Sequence, residues 1–255
     1  MRIAPPALAA CFAALSIGCA HAPGYPPAPV PRPTAVTDFV TLYNQNCAAC
    51  HGANGHSGPA IDLANPEYQA LVDDATLRKW ISNGMPGTEM PAFAQSAGGM
   101  LTDAQVSALI AGMRQAWSRP NAFSGASPPP YSQSSAGDLT RGQQTYTARC
   151  ASCHQSPHQD ITSPNYLALV GDQALRSIII AGRPDIGQPD WRLQPSSRSN
   201  SGPAPSGNLA APPLSAADVA NIVAYLGSLR SASQQAQSAN HPPAPGPATS
   251  TPTGR

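Results

Sequence analysis

Along two stretches of this chain apolar residues recur at helical spacing, and nowhere do they alternate as in a half-buried strand. In the first stretch Thr37-Asp38 caps a helix that carries Phe39 and Tyr43. Asn65-Pro66-Glu67 opens a short helix through Leu71-Val72, with Pro at the position whose missing N–H costs nothing. Asp73-Asp74 begins a third helix with Leu77, Trp80 and Ile81 on one face, ended by Asn83-Gly84. Thr102-Asp103 caps a last helix with the stripe Val106, Leu109, Ile110, Met113 and Trp117.

The order then repeats. Tyr43 meets Tyr146 at an offset of 103. Pro66, Tyr68, Leu71-Val72, Asp74, Leu77-Arg78, Ile81 and Gly84 meet Pro164, Tyr166, Leu169-Val170, Asp172, Leu175-Arg176, Ile179 and Gly182 at 98. Leu101-Thr102 and Val106 meet Leu214-Ser215 and Val219 at 113. The pattern predicts one all-α fold made twice, the second copy five residues shorter near its start and 15 longer before its last helix.

Composition separates these copies from the rest. The 255 residues include 30 Pro, and 20 of those fall within 20–36, 118–136, 195–213 and 231–255, which are otherwise mostly Ala, Ser and Gly. They read as a tether (19–36), a linker (118–136), a flexible insertion in the second copy (195–213) and a disordered tail (231–255). The folded parts are then 37–117 and 137–230, each about 80–95 residues, a size that often needs a staple or cofactor. Charged residues are 11% and the net charge is +1, so bulk charge gives no argument for nucleic-acid binding. The single lysine, Lys79, and scattered arginines locate no docking patch for a protein partner.

Arg2 is the lone charge before an apolar run from Ala7 to Gly18, too short to span a bilayer as a helix and suited to a signal peptide over 1–18. Its end, Leu15-Ser16-Ile17-Gly18-Cys19, resembles a bacterial lipobox, with Ser16 at the usual Leu position. That resemblance implies a lipid on Cys19 and a protein anchored to a membrane at the periplasmic face or cell exterior; the alternative is cleavage after Ala20 or Ala22 and a soluble periplasmic protein.

Of six cysteines, Cys11 lies in the removed segment and Cys19 takes the lipid. The other four form Cys47-Ala48-Ala49-Cys50-His51 and Cys150-Ala151-Ser152-Cys153-His154. C-x-x-C-H is the attachment signature of c-type haem. Two thiols one helical turn apart reach the two vinyl groups of one porphyrin, and the following His lies beneath the iron. A thioredoxin-type motif expects a βαβ setting, and a Cys₄ zinc site needs both pairs to converge across a Pro-rich linker. Neither fits as well.

With these motifs the two segments resemble the class I cytochrome c family, in tandem diheme form. The resemblance implies a small all-α fold around each of two covalent haems, attached at Cys47, Cys50, Cys150 and Cys153, with His51 and His154 as axial ligands. It also implies a sixth ligand from a Met-Pro context after the third helix. Met85-Pro86 and Met90-Pro91 both qualify; the run into Pro91-Ala92-Phe93 looks like family members in which the later Met binds, which favours Met90. Met100 and Met113 read as loop and helix-core residues. Pro59 fits the family's Pro after the haem motif, near a backbone carbonyl that orients the His ring. Pro157 aligns with it but lies three residues past His154, leaving open whether the same contact forms.

The second segment contains no Met, and Gln188 stands where the first has Met90. Gln188 or a nearby water is the favoured sixth ligand; His158, on the proximal side of a continuing helix, and the loop residues His56 and His241 are the alternatives. An amide is a poorer ligand for ferrous iron than a thioether, so the second haem should have the lower potential. The resulting expectation is a carrier of single electrons. Its donor would be a quinol-oxidising complex or a dehydrogenase, and its acceptor a terminal oxidase. Two other readings stand beside it: a haem enzyme using the Met-less second site, near which Arg183, Asp185 and Asp190 read as loop and capping residues, and a haem subunit of a larger complex.

Overall fold

The computed structural model describes residues 32–240 apart from 134, 155, 157–158 and 193–211, with side chains up to 230. The chain divides into two units, Met1–Val36 and Thr37–Arg255. The described end of the first is a 3₁₀ turn at Pro33–Ala35. The second holds ten α-helices among the described residues: α1 Phe39–Asn46, α2 Ala48–His51, α3 Pro66–Leu71, α4 Asp74–Asn83, α5 Asp103–Trp117, α6 Leu139–Arg149, α7 Ala151–His154, α8 Pro164–Leu169, α9 Asp172–Ala181 and α10 Ala216–Asn240. Helices α1–α5 make one lobe and α6–α10 repeat it. Extended pairing among the described residues amounts to two isolated bridges, Ala94 with Leu101 and Arg183 with Gln188.

Local chemistry sets the helix ends. Asp38 accepts from the Thr41 N–H, Asp73 from Thr76 and Asp138 from Arg141. Thr102 and Gln105 form a reciprocal capping box at α5. At α10 Ser215 and Asp218 exchange the same two bonds. Helix α10 runs on through Asn240, past the end read from composition. The stretch 231–240 is Ala, Ser, Gln and Asn without Pro, which a helix tolerates; the first Pro beyond is Pro242.

In each lobe the first and last helices cross over the core. The crossing in the first lobe sets Gly112 of α5 against Phe39 of α1, so close that a Cβ on Gly112 would stand 2.2 Å from the Phe39 ring. In the second lobe the roles are exchanged: Gly142 of α6 faces α10, and its Cβ would stand 2.0 Å from the Asn221 carbonyl oxygen and 2.8 Å from the Tyr225 Cβ. Gly142 aligns with Phe39 and Tyr225 with Gly112. The large and small residues have changed places, and the volume at the crossing is conserved.

An arginine from the last helix clamps the middle of each lobe. Arg114 pairs with Asp74 at 2.7 Å and donates to the carbonyls of Gln69 and Val72. Arg230 pairs with Asp172 at 2.6 Å and donates to the carbonyls of Leu167 and Val170, the aligned acceptors. Gly227 is the residue aligned with Arg114, so the second clamp comes from the next turn of its helix.

The linker is packed against both lobes. Pro129 is buried, and the Pro130 and Tyr131 carbonyls accept from the buried Arg176 of α9. The Tyr131 hydroxyl accepts from the Trp80 indole of α4 at 2.9 Å. Residues 124–127 are exposed, so the stretch is a spacer only in part.

Candidate haem sites

Helix α1 runs into the first motif and breaks at Cys47, with φ −120° and ψ −35°; Cys150 breaks α6 with φ −120° and ψ −38°. After each break one helical turn carries the motif. Cys50 and His51 both donate to the Cys47 carbonyl, and Cys153 and His154 both donate to that of Cys150. Each pair of sulfurs is thus three residues apart on a single turn, and all four cysteines are free. The first cysteine of each pair is half-buried and the second exposed. Burial pushes the Cys47 thiol up to about 12 and the Cys150 thiol up to about 11. A disulfide-exchange motif works through a thiolate of lowered pKa, and the Cys47 and Cys150 thiols are shifted the other way. Among the described residues no three His, Cys, Asp or Glu side chains gather as for a metal ion, so the pairs do not converge.

The histidines are held alike. His51 Nδ1 lies 2.8 Å from the Ile61 carbonyl oxygen, and His154 Nδ1 lies 2.8 Å from that of Gln159. A carbonyl only accepts, so Nδ1 carries the proton and Nε2 keeps its lone pair. Burial lowers the His51 pKa and keeps that ring neutral, the form that binds iron. Ile61 and Gln159 align at the offset of 98. The orienting contact therefore forms in both lobes despite the five residues missing from the second loop. The donor set in each lobe, two sulfurs on one turn with an oriented imidazole, fits a c-type haem.

The loop after the third long helix also repeats. Gly84 (φ 70°) and Gly182 (φ 74°) end α4 and α9 in a conformation that L side chains rarely adopt, and a Cβ on either would meet backbone atoms within 3 Å. The Met85 N–H then donates to the Met90 carbonyl at 3.0 Å, and the Arg183 N–H donates to the Gln188 carbonyl at 3.0 Å. Met90 and Gln188 occupy one position of the same hairpin, as do Met85 and Arg183. Both methionines are half-buried, whereas Met100 is exposed and Met113 lies in the core. The Gln188 amide nitrogen donates to the Ile178 carbonyl at 3.4 Å, a long bond to a helix carbonyl that Gly182 already uses.

The first lobe's His loop packs on the second lobe's hairpin, through residues that the sequence marks only as helix-opening, loop and capping residues. Asn65, 1% exposed, caps α3 through its oxygen and donates through its nitrogen to the Ala181 and Gly182 carbonyls at 2.9 and 3.1 Å. Arg183 donates to the Ala60 and Gly58 carbonyls at 3.0 and 3.1 Å and forms a two-bond pair with Asp185, which accepts from the Ser57 N–H. Burial works against the Asp185 charge, but Arg183 outweighs it and holds that carboxyl below its ordinary range. Asp190 pairs with Arg192, whose guanidinium also reaches the Phe123 carbonyl. His56 pairs with the buried Asp62 at 3.0 Å. Cys11, Cys19, Pro157, His158 and His241 lie outside the described residues.

Residues 34–111 match the family described as cytochrome C oxidase, cbb3-type, subunit III, and residues 139–230 match the cytochrome c family. Over 77 residues the chain is 43% identical to a dihydro-heme d1 dehydrogenase of Pseudomonas aeruginosa, covering 29% of this chain and 14% of that protein. Over 125 residues it is 29% identical to a cbb3-type cytochrome c oxidase subunit CcoP of Azospirillum sp. (strain B510), covering 45% of this chain and 37% of that protein. The chain thus spans well under half the length of either relative. No solved structure matches it. No helix among the described residues is long and apolar enough to cross a membrane.

Proposed function

The chain belongs to the cytochrome c family, as two class I domains in tandem that each bind a c-type haem covalently, and on that premise we propose that it relays single electrons between a respiratory donor and acceptor. A haem at each site supplies a one-electron ferric–ferrous couple. The protein's part is to orient His51 and His154 through the Ile61 and Gln159 carbonyls, keep the His51 ring neutral by burial and hold the two sites in a fixed relation. The observation that carries the reading is the repetition of this geometry in two lobes locked together by Asn65 and Arg183. In this reading Met90 would complete the ligation of the first haem, and Gln188 or a water beside it that of the second. The names of the two relatives, a dehydrogenase and an oxidase subunit, support a dehydrogenase as donor and a terminal oxidase as acceptor; a quinol-oxidising complex is the other donor in this reading. Export with a lipid on Cys19 places the relay at the outer side of a membrane.

The test uses full-length protein purified from membranes. Two reversible one-electron components are expected, reduced by quinol-fed membranes and reoxidised by oxidase-containing ones. Cys19→Ser should release soluble holoprotein. The long Gln188 bond and the lack of Met in the second lobe favour one competing reading, a haem enzyme with a labile sixth site. Turnover of peroxide or a nitrogen oxide faster than electron exchange with membranes would establish that reading instead.

A further inference from the structure

We propose that Arg183, a side chain of the second lobe, is a positioning residue for the haem of the first lobe and biases its reduction potential. The inference rests on the chain being a two-haem electron carrier. Its physical basis is an exchange within the repeat: the first lobe has Met at this position of the hairpin and the second has Arg. An apolar side chain would fill the space without the cost of burying a charge. Arg183 is instead only 7% exposed, and besides its pair with Asp185 its guanidinium donates across to the other lobe.

Its guanidinium donates to the Gly58 and Ala60 carbonyls. The next carbonyl along, that of Ile61, is the one that accepts from His51 Nδ1. The Ala60 N–H donates to the Cys50 carbonyl at 2.9 Å, so the stretch 58–60 is tied on one side to the haem motif and on the other to Arg183. The loop that aims His51 is therefore held partly by a residue more than a hundred positions away.

The charge acts as well as the bonds. Reduction adds one electron at the iron and lowers the positive charge there, with no bond made or broken. A buried cation nearby favours the reduced state, and a buried anion favours the oxidised state. Charges buried in this way are little screened by salt. Arg183 and Asp185 form a pair whose members should pull the first haem in opposite directions.

The experiment is a spectroelectrochemical titration of full-length holoprotein. The first haem is labelled in a Cys47→Ala background, where one unbound vinyl group moves its α-band to longer wavelength. Arg183→Gln should lower the potential of the labelled haem, since Asp185 is then left uncompensated. Arg183→Lys should lower it less. Asp185→Asn, nearly isosteric, should raise it. The shifts should persist at high salt. Loosening of the interface alone would move both variants the same way; shifts of equal sign, or none, would overturn the proposal. Failure of the wild type to show two reversible components would instead overturn the carrier reading.

Discussion

Met90 and Gln188 sit at one position of a duplicated hairpin, so if both ligate as proposed the donor atom changes from thioether sulfur to amide oxygen. A soft thioether favours ferrous iron more than an amide or water does. Met90→Ala should abolish the weak far-red sulfur-to-iron band of the ferric protein, while Met85→Ala should leave it; the reverse result would move the assignment to Met85. In the second lobe, the long bond from Gln188 to Ile178 leaves the amide easily displaced. Carbon monoxide should bind that ferrous haem and not the first. Gln188→Met should raise its potential, block carbon monoxide and add a second far-red band. Both positions were legible in the sequence, because the repeat can be counted residue by residue. The bonds of Asn65 and Arg183 across the lobes were not, because their partners lie in the other copy: Asn65 reads only as the start of a helix and Arg183 as a loop residue.

Among the helices, caps and stripes were the readable part: Asp38, Asp73 and Thr102 cap where the sequence places them. The exchange at the helix crossings was hidden, since Phe39 and Gly142 look unrelated until the pairs are seen together. It sets the energetics of substitution. Gly→Ala inside a helix gains up to about 1 kcal/mol from propensity, so contacts decide the sign. At Gly142 the obstacle is the Asn221 backbone, which cannot turn aside; at Gly112 it is the Phe39 side chain, which can shift in part. Gly142→Ala should destabilise the protein by about 1–3 kcal/mol and cost more than Gly112→Ala, as read by denaturant unfolding monitored in each lobe. A smaller loss for Gly142→Ala would mean that α6 and α10 can slide apart.

For the molecule as a whole, the composition of 118–136 reads as a linker, and the buried Pro129 and the clasp of Tyr131 between Trp80 and Arg176 fix that linker against both lobes. Proline-rich composition reports what a segment cannot bury by itself, not which neighbour covers it. Lengthening the exposed stretch 124–127 with Gly and Ser should leave the lobes tumbling together, measured by NMR relaxation. Asn65→Ala removes both a helix cap and two bonds across the contact, so it should allow independent motion. The pH dependence follows from Asp185. Its folded pKa lies below the unfolded value of about 3.9, so its stabilisation is complete above that value and is lost as pH falls through the folded one. The thermal midpoint of Asp185→Asn should therefore vary less with pH in that acid window than that of the wild type.

The contact between the lobes is head to tail, the His loop of one copy against the hairpin of the other. Such a contact is not self-complementary, and identical units joined this way would go on adding members, into a ring or an open array. The residues that make this joint occur once in the pair. The matching positions for a second such contact are Ser163, where Asn65 would be needed, and Met85, where Arg183 would be needed. Neither supplies the donor groups that make the joint. The duplicated halves have thereby acquired an order: exchanging them along the chain would set Ser163 against Met85 and leave the joint unmade, so the gene copies are no longer interchangeable even where their folds are the same.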